Sequence, residues 1–206
     1  MISLCYTRRT QTTPAMVVNL AKHYFTVSEY ERMGETGVFA PDARVELIEG
    51  EIVEMSPIGS RHAACVELVA ETLTMQFQGK AIVRIQNPIV LNDFSEPQPD
   101  VAVLHFRTDR YRTAHPRPNE VLLVIEVSDT TYPYDRNVKI PLYARAGIAE
   151  ALIFNLPEEE REYFSQPEAG TYQSRRVLKS GERFESAKVN GLTLDVDTIL
   201  GRPKGQ

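Results

Sequence analysis

Two cysteines, four histidines and no apolar run longer than Val121 to Ile125 set the first limits on this 206-residue chain. Cys5 and Cys65 lie far apart with no CxxC pairing, and a secreted scaffold that leaned on disulfides would carry more. The reading is a reducing, cytoplasmic setting without a structural disulfide. None of His23, His62, His105 and His115 stands at zinc-ligand spacing from a Cys or another His, so a structural zinc is not expected. A membrane-spanning helix needs about 18 to 20 apolar residues, and nothing here approaches that. Arg8 and Arg9 before Ala15 to Ala21 mimic an export signal, but the segment is short, holds Asn19 and runs into Lys22 and His23. Phosphate loops, GxGxxG, HExxH and GxSxG are all absent, which removes the simplest NTPase, dinucleotide, zinc-protease and serine-hydrolase readings and with them an organic cofactor. An excess of positive charge is missing too. Lys and Arg number 23 against 28 Asp and Glu, a net charge of -5, so any contact with nucleic acid has to be local.

The composition, 42% hydrophobic and 25% charged, is that of a folded protein, and the length favours one domain. Residues 1–15 lack apolar periodicity and read as a loose extension, with folding beginning near Met16 and a single domain over 16–206. Thr26 and Glu29 form a capping box for a short helix through Tyr30 and Met33, which stops at Gly34 to Gly37. Val45 to Met55 reads as a hairpin about Gly50. From Ser60 to Gln78, Val66, Val69, Leu73 and Phe77 recur at helical spacing with Glu67 and Glu71 opposite, and His62 falls on the apolar stripe. Ala81 to Leu91, Asp100 to Phe106 and Glu120 to Val127 read as strands. Tyr134 to Ala146 reads as a helix ended by Gly147, and Ala151 to Leu156 as a further strand. A strand reached through a helical crossover implies a parallel pair inside a mixed sheet. Segments near Tyr163, Tyr172 to Leu178 and Phe184 read as an antiparallel extension, closed by a strand or short helix at Leu192 to Leu200.

Candidate site residues are carboxylates in unusual places. Asp100 follows Pro99 at the mouth of an apolar strand, where a turn or cap role suffices on its own. Glu126 ends a run that reads as a strand buried on both faces, and a charge there needs a partner or a metal. Asp135, Lys139 and Tyr143 share one side of a regular helix, where the first two fit a surface ion pair, although Pro141 disturbs the geometry. Adjacent strands would bring Asp100 and Glu126 to one sheet edge, and the next helix would return Lys139 over it. Two carboxylates, a backbone carbonyl and waters are what Mg²⁺ prefers. Glu46 is either turned toward this site or an exposed hairpin acid, and His62 either enters it or is a satisfied core histidine. Between His105 and Pro118, Arg107, Arg110, Arg112 and Arg117 face one acid, Asp109, and form either a phosphate clamp or a solvated loop. Arg175, Arg176, Lys179 and Arg183 make a weaker second patch.

The order Glu46-Leu-Ile-Glu-Gly-Glu-Ile, Pro57 with His62, Gln98-Pro99-Asp100-Val101, and Glu126-Val127-Ser128 with Asp135, Lys139, Tyr143 and Gly147 resembles the Uma-two (Uma2) endonuclease family of the PD-(D/E)XK superfamily. The resemblance covers about residues 24–200. It implies an α/β restriction-endonuclease-like core (helix, three strands, helix, strand) flanked by the N-terminal helix and hairpin and by the C-terminal extension. It further implies that Asp100 and Glu126 bind Mg²⁺ or Mn²⁺, that Val127 lends its carbonyl, and that Lys139 assists an attacking water. The chain departs from the superfamily at Ser128, where a lysine would stand, and the role passes to Lys139. DNA is then the implied substrate, and cutting both strands of a duplex favours a homodimer. The alternatives are a non-catalytic nuclease-fold module that binds nucleic acid or a protein, and a structural domain with an internal charge network.

Overall fold

The computed structural model describes residues 21–200. Met16, Cys5, the basic pair Arg8 and Arg9, and the extension assigned to 1–15 lie outside that range. The capping box forms as the sequence implies. The Thr26 hydroxyl accepts from the Glu29 N–H at 3.3 Å, the Glu29 carboxylate accepts from the Thr26 N–H at 2.8 Å, and α1 runs Val27–Glu35. β1 (Val45–Ile48) and β2 (Glu51–Glu54) make the hairpin. Gly50 turns it with φ +82°, and a Cβ there would meet the Tyr24 Cβ at 2.6 Å.

Helix α2 (Ser60–Phe77) precedes a six-stranded mixed sheet in the order β3-β4-β5-β6-β7-β8: β3 Ala81–Ile85, β4 Val101–His105, β5 Val121–Ser128, β6 Glu150–Asn155, β7 Glu160–Glu168 and β8 Thr171–Leu178. Only the β5–β6 pair is parallel, and its crossover carries α3 (Tyr132–Tyr134), a π-helical turn (Asp135–Lys139) and α4 (Ile140–Arg145). The chain ends its described part with β9 (Arg183–Glu185), β10 (Thr193–Asp195) and α5 (Val196–Ile199), so the closing segment is both a strand and a short helix.

Period-2 alternation sends Val101, Val103, Leu123, Ile125, Leu152 and Phe154 to one face, against Val66, Val69, Leu73 and Phe77 of α2. Ala102, Leu104, Val124, Ala151 and Ile153 go to the other, against Ile140, Leu142 and Tyr143. β5 is thus buried on both faces, as its unbroken apolar run implies. Each α2 side chain so buried contributes roughly 1.5–3 kcal/mol.

Two elements differ from expectation. β3 ends at Ile85 instead of Leu91: Gln86 turns to φ 49° and gives its N–H to the Asp100 carbonyl at 3.0 Å. Ile89, Val90 and Leu91 remain buried, but as a loop whose N–H groups bond Pro97, Pro116 and Ser95 carbonyls. The helix expected over Tyr134 to Ala146 begins at Tyr132 and widens to a π turn before Pro141. Proline has no N–H to give the Asn137 carbonyl and its ring crowds that carbonyl, so Ile140 bonds back to Asp135.

Candidate active site

Strand register sets the centre of the site. Val101 pairs with Ile125, so the residues one step further along, Asp100 and Glu126, come side by side where β4 begins. The Asp100 N–H points to Glu126 Oε2 at 3.4 Å, and Asp100 Oδ2 accepts the Val127 N–H at 2.9 Å. Both carboxylates are buried, Glu126 to 2% exposure and Asp100 to 8%. They line one cleft of about 560 Å³, together with Glu46, His62, Gln98, Val127, Asp135 and Lys139.

Lys139 reaches this cleft from the π turn. Its Nζ lies 2.9 Å from Glu126 Oε1 and 3.5 Å from Glu46 Oε2, and it donates to the Gln98 carbonyl at 3.3 Å. The surface ion pair read from the Asp135 and Lys139 spacing is therefore corrected: both are buried. Asp135 instead accepts the hydroxyls of Ser128 at 2.7 Å and Thr131 at 2.6 Å. Ser128, at the position of the superfamily lysine, thus steadies the crossover. Tyr143 donates to Glu126 Oε1 at 2.5 Å from one turn further on.

Glu46 is not an exposed hairpin acid; it is 2% exposed and accepts from the Gln98 N–H at 3.0 Å and the Tyr134 hydroxyl at 3.2 Å. The bridge of Leu47 to Glu96 ties its strand to the loop that leads into Asp100. His62, in the first turn of α2, places Nε2 3.1 Å from Asp100 Oδ1, which also accepts the Gln86 side-chain amide at 3.1 Å. Gln86 and Tyr134 are site contacts that the sequence did not single out, and Gln98 stood there only within the Gln98-Pro99-Asp100-Val101 motif, without a role of its own.

Burial governs the electrostatics. It pushes the Glu126 carboxyl up to about 8, with Asp135 and Asp100 adding to the rise and Lys139 and Tyr143 opposing it. Burial works against the Lys139 ammonium too, but the charges of Glu126, Glu46 and Asp135 outweigh it and hold that group well above its ordinary value. Asp100 also suffers burial, yet the hydrogen bond and charge of His62, with Lys139 and the Val127 N–H, keep it below the usual range. The bond to Asp100 in turn raises His62. The result is a cleft lined by six acids, Glu46, Glu54, Asp100, Glu126, Asp129 and Asp135, with Lys139, Arg44 and His62 as its basic groups.

The arginines between β4 and β5 are not part of it. Because these strands are antiparallel, their connection emerges at the end of the sheet opposite Asp100 and Glu126, about 17 Å away over five residues of strand. Arg107 is held by Asp109 at 2.7 Å and Glu120 at 2.8 Å and covers the Tyr111 ring, while Arg110, Arg112 and Arg117 are exposed. In the second patch Arg175 is tied to the buried Glu162 carboxylate on the outer strands.

A mixed sheet that seats two carboxylates at the mouth of neighbouring strands, with a lysine returned by the crossover between its parallel strands, defines a restriction-endonuclease-like fold. The similarity to a solved structure agrees. A crystal structure described as a "putative nuclease belonging to DUF820" from Anabaena variabilis superposes with a TM-score of 0.67 at 15% identity, over 86% of this chain and 98% of that one. Residues 27–197 match the Uma2 family model, described as "Putative restriction endonuclease", and the chain belongs to that family. No curated protein matches the sequence. Among the described residues, no helix is long and apolar enough to cross a membrane.

Proposed function

We propose that the protein is a metal-dependent endonuclease that hydrolyses phosphodiester bonds in DNA, with Asp100, Glu126 and Lys139 as its catalytic residues. The observation that carries the reading is the burial of Lys139 against Glu126 in a cleft that also holds Asp100. A buried charge network marks a candidate catalytic site where, as here, it opens into a cleft that substrate can enter.

The donor set fits a hard divalent cation. Asp100 and Glu126 would hold Mg²⁺ or Mn²⁺ through their carboxylate oxygens, and Val127, at the same cleft, would add a carbonyl. Burial is the main cause of the upward push on Glu126, and the repulsion that Asp135 and Asp100 add to it is the part that such a cation would offset. When bound, it would polarise a phosphoryl oxygen and make a coordinated water more acidic. Lys139, held charged by the acids around it, orients the attacking water and opposes negative charge developing on phosphorus. His62 holds Asp100 in one orientation through Nε2. Glu46 and Tyr134 fix the far side of Lys139. A cytoplasmic homodimer, with one such cleft per strand, suits cleavage of a duplex.

The test incubates purified protein with supercoiled plasmid and with single-stranded DNA in Mg²⁺, Mn²⁺ or EDTA. Nicking that needs the cation and falls by at least about 100-fold in Asp100→Asn, Glu126→Gln and Lys139→Ala, with unchanged circular dichroism, is expected. Cleavage by Glu126→Gln at the wild-type rate refutes the site, and DNA binding without cleavage under every condition refutes the activity.

A further inference from the structure

A second group of ligand-type side chains lies away from the cleft. Glu31 of α1, Glu96 of the loop before β4 and His115 of the loop before β5 each offer one ligand atom, and these atoms lie within 4.8 Å of one another. Glu96 is 2% exposed, its Oε1 is 3.9 Å from His115 Nε2, and its Oε2 has no hydrogen-bond partner. A carboxylate oxygen left unpaired in the interior carries the full cost of its lost hydration unless something else faces it. Glu31 and His115 also line a separate cavity of about 730 Å³, which shares no lining residue with the catalytic cleft and gives an ion a path from solvent.

We propose that Glu31, Glu96 and His115 form a second divalent-metal site, of the Zn²⁺ class, that is independent of the nuclease centre. One imidazole nitrogen with two carboxylates suits a borderline ion such as Zn²⁺ better than Mg²⁺, which prefers an all-oxygen shell with several waters. Tetrahedral bonds of about 2.0–2.2 Å to one ion place ligand atoms about 3.3–3.6 Å from each other. The present spacing of up to 4.8 Å closes with an inward movement of about 1 Å, and the exposed Glu31 side chain can rotate to make it. The fourth position faces the cavity and takes water. Spacing along the sequence gave no hint of such a site, because its three ligands come from three segments that only the fold brings together. An ion there would pin α1 and the β5 loop to the Glu96 loop, which leads into Asp100 four residues on.

The experiment titrates full-length protein with Zn²⁺ by calorimetry and with Co²⁺ by visible absorption, using the Asp100→Asn/Glu126→Gln protein so that the catalytic cleft takes no ion. One Zn²⁺ per chain and Co²⁺ absorption bands are expected. Adding His115→Ala or, as an exposed change that leaves the core intact, Glu31→Gln should weaken binding by at least about tenfold and abolish the bands. A protein that binds no Zn²⁺, or whose binding is indifferent to both substitutions, overturns the site. Neither result bears on the cleavage test, which uses a different cleft and different variants.

Discussion

Removing the ammonium of Lys139 while keeping its stem, in Lys139→Met, exposes what the cleft costs the fold. Nζ sits 2.9 Å from Glu126 and 3.5 Å from Glu46, and all three side chains are at most 4% exposed. With an effective dielectric of about 20, these pairs attract by roughly 6 and 5 kcal/mol, of which desolvation takes back the larger part. Deleting one partner of such a buried set typically costs about 3–5 kcal/mol, because the carboxylates stay behind uncompensated. The loss depends on pH in a direction that can be worked out. Burial raises Glu126 from 4.5 to about 8, so the stability it contributes is fully present below 4.5 and is lost as pH rises through 8. Lys139 holds that value down, and without it Glu126 rises further. The variant therefore goes on losing stability where the wild type has finished, at about 1.4 kcal/mol per pH unit. Urea unfolding in EDTA, followed by far-ultraviolet circular dichroism, should give a gap of about 3–5 kcal/mol at pH 9 that narrows by at least about 1 kcal/mol at pH 7. Lys139→Met/Glu126→Gln should recover at least about 2 kcal/mol of it. A gap under about 1 kcal/mol at pH 9, or a double variant no better than the single one, refutes the reasoning.

Three further outcomes follow from the same geometry. Glu162, fully buried on β7, accepts from Tyr132, Arg136 and Arg175; despite its burial these partners hold it below its ordinary value, so its contribution is present above pH 4.5 and lost as pH falls through the folded value. Glu162→Gln should cost about 2 kcal/mol at pH 7, discounted for the partly exposed arginines, and the gap in urea unfolding should close toward pH 3. Gly50→Ala combines a φ of +82° with a 2.6 Å approach to the Tyr24 Cβ, and should lower stability by about 2–3 kcal/mol in thermal melts. In EDTA at pH 9, where Glu126 is ionised, Asp100→Asn/Glu126→Gln should bind a short duplex more tightly than wild type in fluorescence anisotropy, because two negative charges leave the cleft, even though the variant no longer cleaves.

The parts legible in the sequence are those where one residue pattern has one physical solution. The stripe Val66, Val69, Leu73 and Phe77 has to be a helix face, and Val121 to Ile125 has to be a strand covered on both sides, which made Glu126 conspicuous. The run Ile89-Val90-Leu91 satisfies the same strand criterion, yet the prolines at 88, 97 and 99 deny it a ladder and it packs as a loop. The direction of Lys139 was hidden for a related reason. Helical spacing places it beside Asp135, but the π turn before Pro141 adds a residue to the turn and swings it to Glu126. The arginines were adjacent to both acidic strands in sequence and far from both acids in space, since an antiparallel pair separates what its connection joins.

That separation bears on how an acidic protein would meet a polyanion. Glu46, Glu54, Asp100, Glu126, Asp129 and Asp135 all line the cleft, against Lys139, His62 and a single arginine, Arg44, while the arginine-rich connection between β4 and β5 stands at the other end of the sheet. Without added positive charge, a phosphate entering this cleft faces a net negative wall at close range, where the low dielectric makes repulsion strong. Lys139 alone does not offset that wall, because its charge is shared with the two carboxylates that hold it. On the proposed reading a divalent cation is then needed for substrate to approach as well as for water to attack. The overall charge of -5 agrees with a contact of this kind, in which affinity is confined to one cleft and conditional on the ion.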